Sequence, residues 1–454
     1  MRYISTRGIS PAKGFTEILL SGLASDGGLF MPEAWPRMSI GGETYVEAAR
    51  KILGAFAGDS FSSGELREDI ESAYAGFDTP EIAPLVEIAK DRYLLELFHG
   101  PTLAFKDIAM QVLGRLFARA LAKRGGRATV IVATSGDTGS AAIAALGGLP
   151  NIDLFVIHPH NRVSDVQRRQ MTASPHGNVH NIALEGTFDD GQAIVKALFA
   201  DSGFAARQNL TAVNSINFAR IAAQSVYYFT AAAKLKAPPV FVVPTGNFGD
   251  VFAGEAAGHL GLAIEKLVIA TNANDILARA LATGTYAPGA AHATLSPSMD
   301  IQVASNFERA LFEASNRDAA WVREAMQSFA REKKLVIPPK ALGNLRARYT
   351  ASAVDDSKTL ETIARIHKQT GRLIDPHTAV AAAAAEKIEA KGPVVILATA
   401  HPAKFPDAVK KATGQTPPLP PHMADLYEKE ERMNVLPNGL AAIRGFIEDR
   451  TAHP

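Results

Sequence analysis

This chain lacks cysteine, long apolar segments and a marked net charge, and each absence excludes a class of protein. Without cysteine there is no disulfide framework, no thiolate-ligated zinc or iron–sulfur centre and no thiol nucleophile. The 47 lysines and arginines against 46 aspartates and glutamates leave a formal net charge of +1, which provides no overall field to attract nucleic acid. The longest uninterrupted apolar run, 379–385, is far below the roughly 20 residues of a membrane-spanning helix.

The N-terminal residues also lack the apolar core of a signal peptide, because Lys13 and Glu17 interrupt the first apolar stretch. We therefore expect a soluble, cytoplasmic protein with neither a nucleic-acid nor a membrane partner. A length of 454 residues predicts two or three separate cores.

Short β-branched runs alternate with amphipathic helical stretches, a pattern typical of parallel sheets covered by helices on both faces. Nearly continuous apolar runs predict strands buried on both sides at 128–133, 154–157, 240–243, 267–270 and 394–398. The stretch after Lys106 places apolar residues on one helical stripe and ends at Gly125, so it predicts a helix. The architecture is therefore predicted to be α/β.

Two regions depart from this alternation. Helical stretches at 45–56 and 65–77 dominate the first 92 residues, which predicts a helical N-terminal domain. The tail from residue 416 begins with four closely spaced prolines, which exclude regular structure until a helix-like stretch at 424–433.

Three loops follow predicted strands, at the ends where open α/β sheets bind their ligands. Loop 134–140 (TSGDTGS) leads into a helix and offers hydroxyl and backbone N–H groups to an anion such as a carboxylate, or is an ordinary capped turn. Loop 245–250 (TGNFGD) allows successive N–H groups to converge on a phosphate. Its Asp250 would repel that phosphate unless the carboxyl group caps the helix or binds a neighbouring hydroxyl. The third loop presents the hydroxyl of Thr399, which could equally bond backbone.

Lys106 stands at a predicted helix start, where a cation opposes the helix dipole, and it lies in an apolar stretch. A desolvated lysine with a lowered pKa can form a Schiff base, whereas a surface lysine with a packed aliphatic stem is the alternative. An imine-forming amine, two anion-binding loops and a neutral hydroxyl together match what pyridoxal phosphate and an amino acid require. No GxGxxG, HExxH or GxSxG motif and no ligand spacing of histidines is present, so no metal is expected.

Residues 99–107 (HGPTLAFKD) resemble the lysine motif of threonine synthases, a family of fold-type II pyridoxal-phosphate enzymes. Further segments similar to this family follow in family order at 3–8, 22–32, 134–141, 186–191, 214–220, 244–250, 296–309, 375–380 and 398–405. The length resembles the longer branch found in fungi and many bacteria.

The resemblance implies a fold like that of the tryptophan synthase β subunit, with two mostly parallel-sheet αβα domains and a helical N-terminal domain. The implied divisions are an N-terminal domain at 1–92, a large cofactor-binding domain at 93–124 and 216–415, a smaller mobile domain at 125–215, and a tail with helices at 416–454.

The resemblance also implies roles for individual residues. Lys106 would carry pyridoxal 5'-phosphate as a Schiff base, Thr399 would meet its pyridine nitrogen, and its phosphate would be bound by Gly246, Asn247, Phe248, Gly249 and Asp250. The substrate α-carboxylate would be held by Ser135, Gly136, Asp137, Thr138, Gly139 and Ser140. Many relatives outside this family have Asn in place of Asp137, and an ionised Asp137 could not donate a hydrogen bond to the cofactor O3′. Candidates for the substrate phosphate, each of which could instead be structural, are Arg220, Ser305, Asn306 and Arg309.

The implied reaction converts O-phospho-L-homoserine and water to L-threonine and phosphate, with Lys106 transferring protons. A phospho-lyase that releases 2-oxobutanoate is the nearest alternative, because it differs only in how one water is positioned. A catalytically silent phosphometabolite-binding homologue is a second alternative, and a dinucleotide oxidoreductase is a distant third. The expected partner is the small-molecule substrate, and the chain is expected to be a monomer or a homodimer.

Overall fold

The continuous apolar runs of the sequence form strands of two largely parallel sheets in the computed structural model, which describes residues 1–451. The predicted strands at 128–133 and 394–398 are confirmed with their bounds, and the other three are confirmed with longer ones. The chain divides into two units, described separately below. Unit 1 comprises Met1–Leu19, Leu23–Ala109 and Ser215–Pro417, and unit 2 comprises Leu20–Gly22, Met110–Asn214 and the residues from Pro418. Among residues 1–451, no helix is both long and apolar enough to cross a membrane.

The strands, in chain order, are Arg2–Ser5 (β1), Lys13–Gly14 (β2), Phe30–Pro32 (β3), Leu85–Ala89 (β4), Arg92–Glu96 (β5), Ala128–Ala133 (β6), Ile152–Pro159 (β7), Val179–Glu185 (β8), Leu210–Thr211 (β9), Val240–Pro244 (β10), Lys266–Thr271 (β11), Thr285–Tyr286 (β12), Leu335–Val336 (β13), Tyr349–Ala353 (β14), Val394–Ala398 (β15) and Asn434–Pro437 (β16).

The α-helices are Phe15–Ser21 (α1), Tyr45–Ala57 (α2), Ser63–Tyr74 (α3), Lys106–Arg124 (α4), Asp137–Leu146 (α5), Asp165–Thr172 (α6), Phe188–Ala200 (α7), Ser202–Arg207 (α8), Phe218–Ala232 (α9), Gly249–Leu260 (α10), Ile276–Thr283 (α11), Phe307–Ala314 (α12), Ala319–Glu332 (α13), Pro339–Arg348 (α14), Asp356–Thr370 (α15), Pro376–Ala385 (α16), Pro406–Thr413 (α17) and Leu440–Thr451 (α18). Short 3-10 helices lie at Gly58–Ser60, Pro297–Met299, Pro402–Lys404 and Pro421–Met423.

Unit 1 is built on a six-stranded sheet of order β14-β11-β10-β15-β5-β4, parallel except for the β4–β5 hairpin. Alternate residues of β10 point to opposite faces of the sheet. Val240 and Val242 pack in a cluster with the alanines of α16, whereas the ring of Phe241 contacts Tyr228 of α9. Helices therefore cover both faces, which is why β10 reads as a continuous apolar run.

The first 92 residues contain α1, α2 and α3, and in addition an antiparallel sheet of order β2-β1-β3. The sequence-based prediction of a helical domain missed this sheet, because strands of two to four residues are too short to leave an alternating pattern. The predicted boundary at residue 92 falls at the first residue of β5, within the β4–β5 hairpin of the six-stranded sheet.

Unit 2 has a fully parallel sheet of order β16-β8-β7-β6-β9. The C-terminal region supplies its edge strand β16, and Ile443 and Ile447 of α18 join the apolar cluster that contains Phe155 of β7. The predicted helix-like stretch at 424–433 is wrong, because turns follow the short helix Pro421–Met423. Glu431 of this stretch binds Arg168 and Thr172 of α6. The predicted tail is therefore an integral part of unit 2.

Candidate active site

Lys106 is the first residue of α4 and is half-buried. The turn before it folds around Asp107, whose carboxylate accepts hydrogen bonds from the N–H (2.8 Å) and the hydroxyl (2.6 Å) of Thr102. Burial raises the pKa of Asp107 to about 6, against the opposing effects of Thr102 and of the fully buried Lys404. The Lys404 Nζ donates to the Thr102 carbonyl at 2.8 Å. A buried acid and its cation therefore fix the turn that carries Lys106.

The end of β15 lies beside this turn. The N–H of Phe105 donates to the carbonyl of Thr399 at 2.9 Å, and Ala104 and Ala400 form an isolated antiparallel bridge. Thr399 is buried, with 5% of its surface exposed. The backbone at Lys106 and the backbone at Thr399, distant in sequence, therefore lie close together in unit 1.

The second loop ends at the start of α10. Phe248 adopts a left-handed conformation (φ 66°) at the N-cap, and no described side chain caps the helix there. An added Cβ on Gly246 would lie 2.6 Å from the carbonyl oxygen of Ser298, so only glycine allows this close approach. The loop therefore leaves N–H groups and the positive end of the helix dipole to an anion.

The carboxyl group of Asp250 is turned toward two tyrosines. The hydroxyls of Tyr227 and Tyr228 both donate to Asp250 Oδ1, the latter at 3.1 Å. Burial raises the pKa of Asp250 to about 7, opposed by these hydrogen bonds and by the charge of Lys106. The repulsion expected from the sequence is thereby reduced, since the carboxyl group binds neighbouring hydroxyls and is only about half ionised near pH 7. The effect of Lys106 on this pKa also places the lysine near the loop.

Arg220 lies in the first turn of α9 and is 3% exposed. Within the described part of the chain, its Nε and Nη1 atoms have no hydrogen-bond partner. Burial lowers the pKa of Arg220 to about 10, partly offset by Tyr227. A buried guanidinium with unused donors is suited to a phosphate or carboxylate.

The polar groups of Asn306 and Arg309 bind neighbouring residues of unit 1. The guanidinium of the fully buried Arg309 donates to Asn306 Oδ1 and to two main-chain carbonyls, of which Ile216 O is at 2.6 Å. The side-chain amide of Asn306 donates to Asn247 O at 3.1 Å, and Ser305 Oγ lies 3.4 Å from Asn247 Oδ1. The donors of Arg309 are thus taken up by Asn306 and main-chain carbonyls, and Asn306 in turn bonds loop 245–250 at Asn247 O. These bonds favour the structural alternative that the sequence left open for both residues.

Loop 134–140 lies in unit 2, between β6 and α5. The hydroxyl of Thr134 accepts hydrogen bonds from the N–H groups of Gly136 and Gly139, both at 2.9 Å, and the hydroxyl of Ser140 donates to Gly136 O at 3.0 Å. Three of the six predicted substrate-binding residues, Gly136, Gly139 and Ser140, thus use polar groups for hydrogen bonds within the loop itself. The partly exposed members are Ser135 and Thr138.

Sequence reasoning missed several residues that organise these loops. Asp107 and Lys404 lie within family-like segments, so a signal was present although no role was assigned to either. Three other residues lie outside those segments. Two are Tyr227 and Tyr228, which bind Asp250. The third is Gln167, whose side chain donates to Asp137 Oδ1 at 2.9 Å. A buried carboxyl group needs such partners, but their identity is not encoded locally.

The residues of unit 1 fit pyridoxal phosphate. Lys106 offers an amine for its aldehyde, the uncapped start of α10 offers N–H groups for its phosphate, and the buried Thr399 offers a neutral hydroxyl for its ring nitrogen.

Comparison with known proteins gives the same result. Three family models match: threonine synthase N terminus at residues 2–74, pyridoxal-phosphate dependent enzyme at 83–349, and threonine synthase, C-terminal, at 378–447. The threonine synthase of Pseudomonas aeruginosa is 50% identical over 98% of each chain. The structure of PLP-bound threonine synthase from Brucella melitensis covers all of both chains at 47% identity with a TM-score of 0.97, and that of the yeast enzyme covers 99% of each at 36% identity and 0.93. The chain therefore belongs to the threonine synthase family of pyridoxal-phosphate-dependent enzymes.

Proposed function

We propose that this chain converts O-phospho-L-homoserine and water to L-threonine and phosphate. The observation that supports this most directly is the proximity of Lys106, Thr399 and loop 245–250 in unit 1, in a chain that belongs to the threonine synthase family. Bound pyridoxal phosphate supplies an electron sink for negative charge that develops at carbons next to the substrate nitrogen.

The chain's own residues are proposed to divide the remaining work. Lys106 would hold the cofactor covalently. Once the amino group of the substrate has displaced the lysine from that bond, its amine would remove and return protons on the substrate carbons. Thr399 contacts the ring nitrogen through a neutral hydroxyl, which cannot hold that nitrogen protonated as a carboxylate would.

Two sets of residues are proposed to bind the substrate's anionic ends. Ser135 and Thr138 are the partly exposed hydroxyl residues of loop 134–140, and they are assigned to the α-carboxylate. Arg220 is assigned to the substrate phosphate, because it alone among the four sequence-based candidates combines full burial with guanidinium donors that no described residue uses.

The proposal is tested by incubating the purified holoprotein with O-phospho-L-homoserine and separating the products. Threonine and phosphate in equal amounts are expected. Mainly 2-oxobutanoate would instead indicate a phospho-lyase, and the absence of turnover in a protein that binds pyridoxal phosphate would indicate a silent homologue.

The assignment of Lys106 has its own test. Lys106→Ala should abolish turnover and the covalent trapping of the cofactor by borohydride, with the thermal unfolding curve preserved. Lys123→Ala, an exposed lysine of the same helix, is the matched control and should keep both properties. Trapping that persists in Lys106→Ala would assign the cofactor to another lysine.

A further inference from the structure

Gln167 joins two parts of unit 2 through opposite ends of one side-chain amide. It lies in the first turn of α6 and is 2% exposed. Its Oε1 accepts from the N–H (3.3 Å) and hydroxyl (3.1 Å) of Ser164, which completes the N-terminal cap of the helix. Its Nε2 donates to Asp137 Oδ1 at 2.9 Å. Because the cap uses the acceptor end of the amide, the donor end faces Asp137, and Asp137 Oδ1 serves as an acceptor.

The same side chain packs against the backbone of loop 134–140. Gly136, at the N-cap of α5, has φ 135°, and an added Cβ would lie 2.5 Å from the side-chain carbon Cδ of Gln167. The loop therefore cannot move toward Gln167 at Gly136 unless that side chain shifts.

Helix α6 is in turn bound by the C-terminal segment 423–432. Arg168, the residue next to Gln167, donates from Nε and Nη2 to both oxygens of Glu431, at 2.9 and 3.0 Å. The hydroxyl of Thr172 donates to Glu431 at 2.7 Å, and the N–H of Arg432 donates to Thr172 O at 2.7 Å. The hydrogen bonds and charge of Arg168 lower the pKa of Glu431. A bidentate ion pair and two further hydrogen bonds therefore fix α6 to this segment.

We propose that Gln167 is a positioning residue for loop 134–140, and that the C-terminal segment 423–432 sets the position of this loop through Glu431 and α6. Gln167 orients the carboxyl group of Asp137 and holds the backbone at Gly136, so that Ser135 and Thr138 present their hydroxyls to a carboxylate. The inference rests on the proposed function, in which this loop binds the α-carboxylate of the substrate.

Gln167→Glu is the most direct test, because it keeps the shape and the oxygen that caps α6 but replaces the donor facing Asp137 by a carboxylate oxygen. Two carboxylates at hydrogen-bond distance cannot both ionise without repulsion, whereas at low pH they can share a proton. We expect the KM for O-phospho-L-homoserine and the Kd of L-threonine to rise about tenfold or more between about pH 6 and about pH 8.5, relative to wild type. Loss of helix stability alone would not produce this pH dependence, and kcat should change less than KM.

The other charged or titratable groups that contact α6 are on three elements. They are Asp165, Arg168 and Arg169 on the helix itself, Tyr427, Glu431 and Arg432 on the C-terminal segment, and His158 on β7. These groups are the same in Gln167→Glu and in the control variant.

The control variant combines Gln167→Glu with Asp137→Asn. The amide at 137 can then donate to the carboxylate at 167, which restores the hydrogen bond in the reverse direction. This pair should lose the pH-dependent part of the defect. A double variant whose KM follows the same pH profile as Gln167→Glu would overturn the role of Gln167.

The contribution of the C-terminal segment is tested with Glu431→Gln. We expect a severalfold higher Kd for L-threonine, measured from the visible absorbance change of the holoenzyme, with unchanged uptake of pyridoxal phosphate. Glu448→Gln removes an exposed ion pair with Arg444 in the same unit and should match wild type. An unchanged Kd in Glu431→Gln would overturn the role of the segment.

Failure of this inference can be distinguished from failure of the proposed function. A wild-type protein that forms threonine, with variants whose KM and Kd equal the wild-type values, would overturn the inference alone. A wild-type protein that forms no threonine would overturn the proposed function and, with it, this inference.

Discussion

The carbonyl of Thr399 accepts a hydrogen bond of 2.9 Å from the N–H of Phe105, the residue that precedes Lys106. The bond joins the end of β15 to the start of α4 through main-chain atoms alone. The separation between the Thr399 and Lys106 backbones is therefore independent of both side chains, so each side chain can be replaced without moving the other.

This relationship predicts the effect of Thr399→Val, which keeps the shape and the main-chain bond but removes the hydroxyl. Loss of one buried hydrogen bond costs about 1–3 kcal/mol, so kcat/KM should fall about fivefold to a hundredfold. Thr399→Ser should retain most of the activity. A Thr399→Val protein with wild-type kinetics and a wild-type absorbance spectrum of the bound cofactor would contradict the assigned contact.

Asp250 predicts a pH dependence of cofactor affinity. Burial raises the pKa of Asp250 to about 7, so the group is mostly neutral below that pH and mostly ionised above it, where it opposes the phosphate of the cofactor. We expect the ratio of the wild-type Kd for pyridoxal phosphate to that of Asp250→Asn to rise with pH through 7, by at most about tenfold per pH unit for a single group.

Equilibrium titration of both apoproteins measures this ratio. Parallel pH profiles for the two proteins would show that Asp250 does not oppose the phosphate.

Arg220 and Arg309 predict opposite effects of the same substitution on stability. An unpaired buried guanidinium destabilises the apoprotein, so Arg220→Met should raise its Tm, while it raises the KM for O-phospho-L-homoserine about tenfold or more. Arg309→Met should lower the Tm, because Asn306 and two main-chain carbonyls lose their donor. Calorimetry of the apoproteins and steady-state kinetics measure both effects; a lower Tm in Arg220→Met would mean that this arginine is structural.

Lys404→Met should destabilise the protein by about 3–5 kcal/mol near neutral pH, because it leaves the buried Asp107 carboxylate without its cation. The folded-state pKa of Asp107, about 6, lies above its unfolded value, so its ionisation reduces stability as pH rises from about 4 through about 6. Without Lys404 the folded pKa should rise further, and the loss should extend to higher pH.

Urea unfolding at several pH values measures this loss. Asp107→Asn in the Lys404→Met background should recover part of the stability and remove its pH dependence. Lys410→Met, an exposed lysine of α17, should have little effect. Equal stability of Lys404→Met and Lys410→Met would contradict the counterion role.

The sequence predicted the central strands because burial on both faces leaves a continuous apolar run. It predicted the helix after Lys106 because burial of one stripe leaves a helical period in the apolar residues. The β2-β1-β3 sheet was missed because its strands are shorter than any such period. The stretch 424–433 was wrongly predicted as a helix, since the bonds of Glu431 to α6 depend on distant residues and leave no local signal in the sequence.

By itself, the sequence determined the fold class, the lysine and the three loops that follow strands, since these depend on motifs and on local periodicity. Only the tertiary structure separated Arg220 from Arg309, two arginines in similarly family-like segments. The first retains donors that no described residue uses, whereas the donors of the second are taken up by Asn306 and main-chain carbonyls. The role of a buried polar side chain depends on which distant groups meet it, and folding alone brings those groups together.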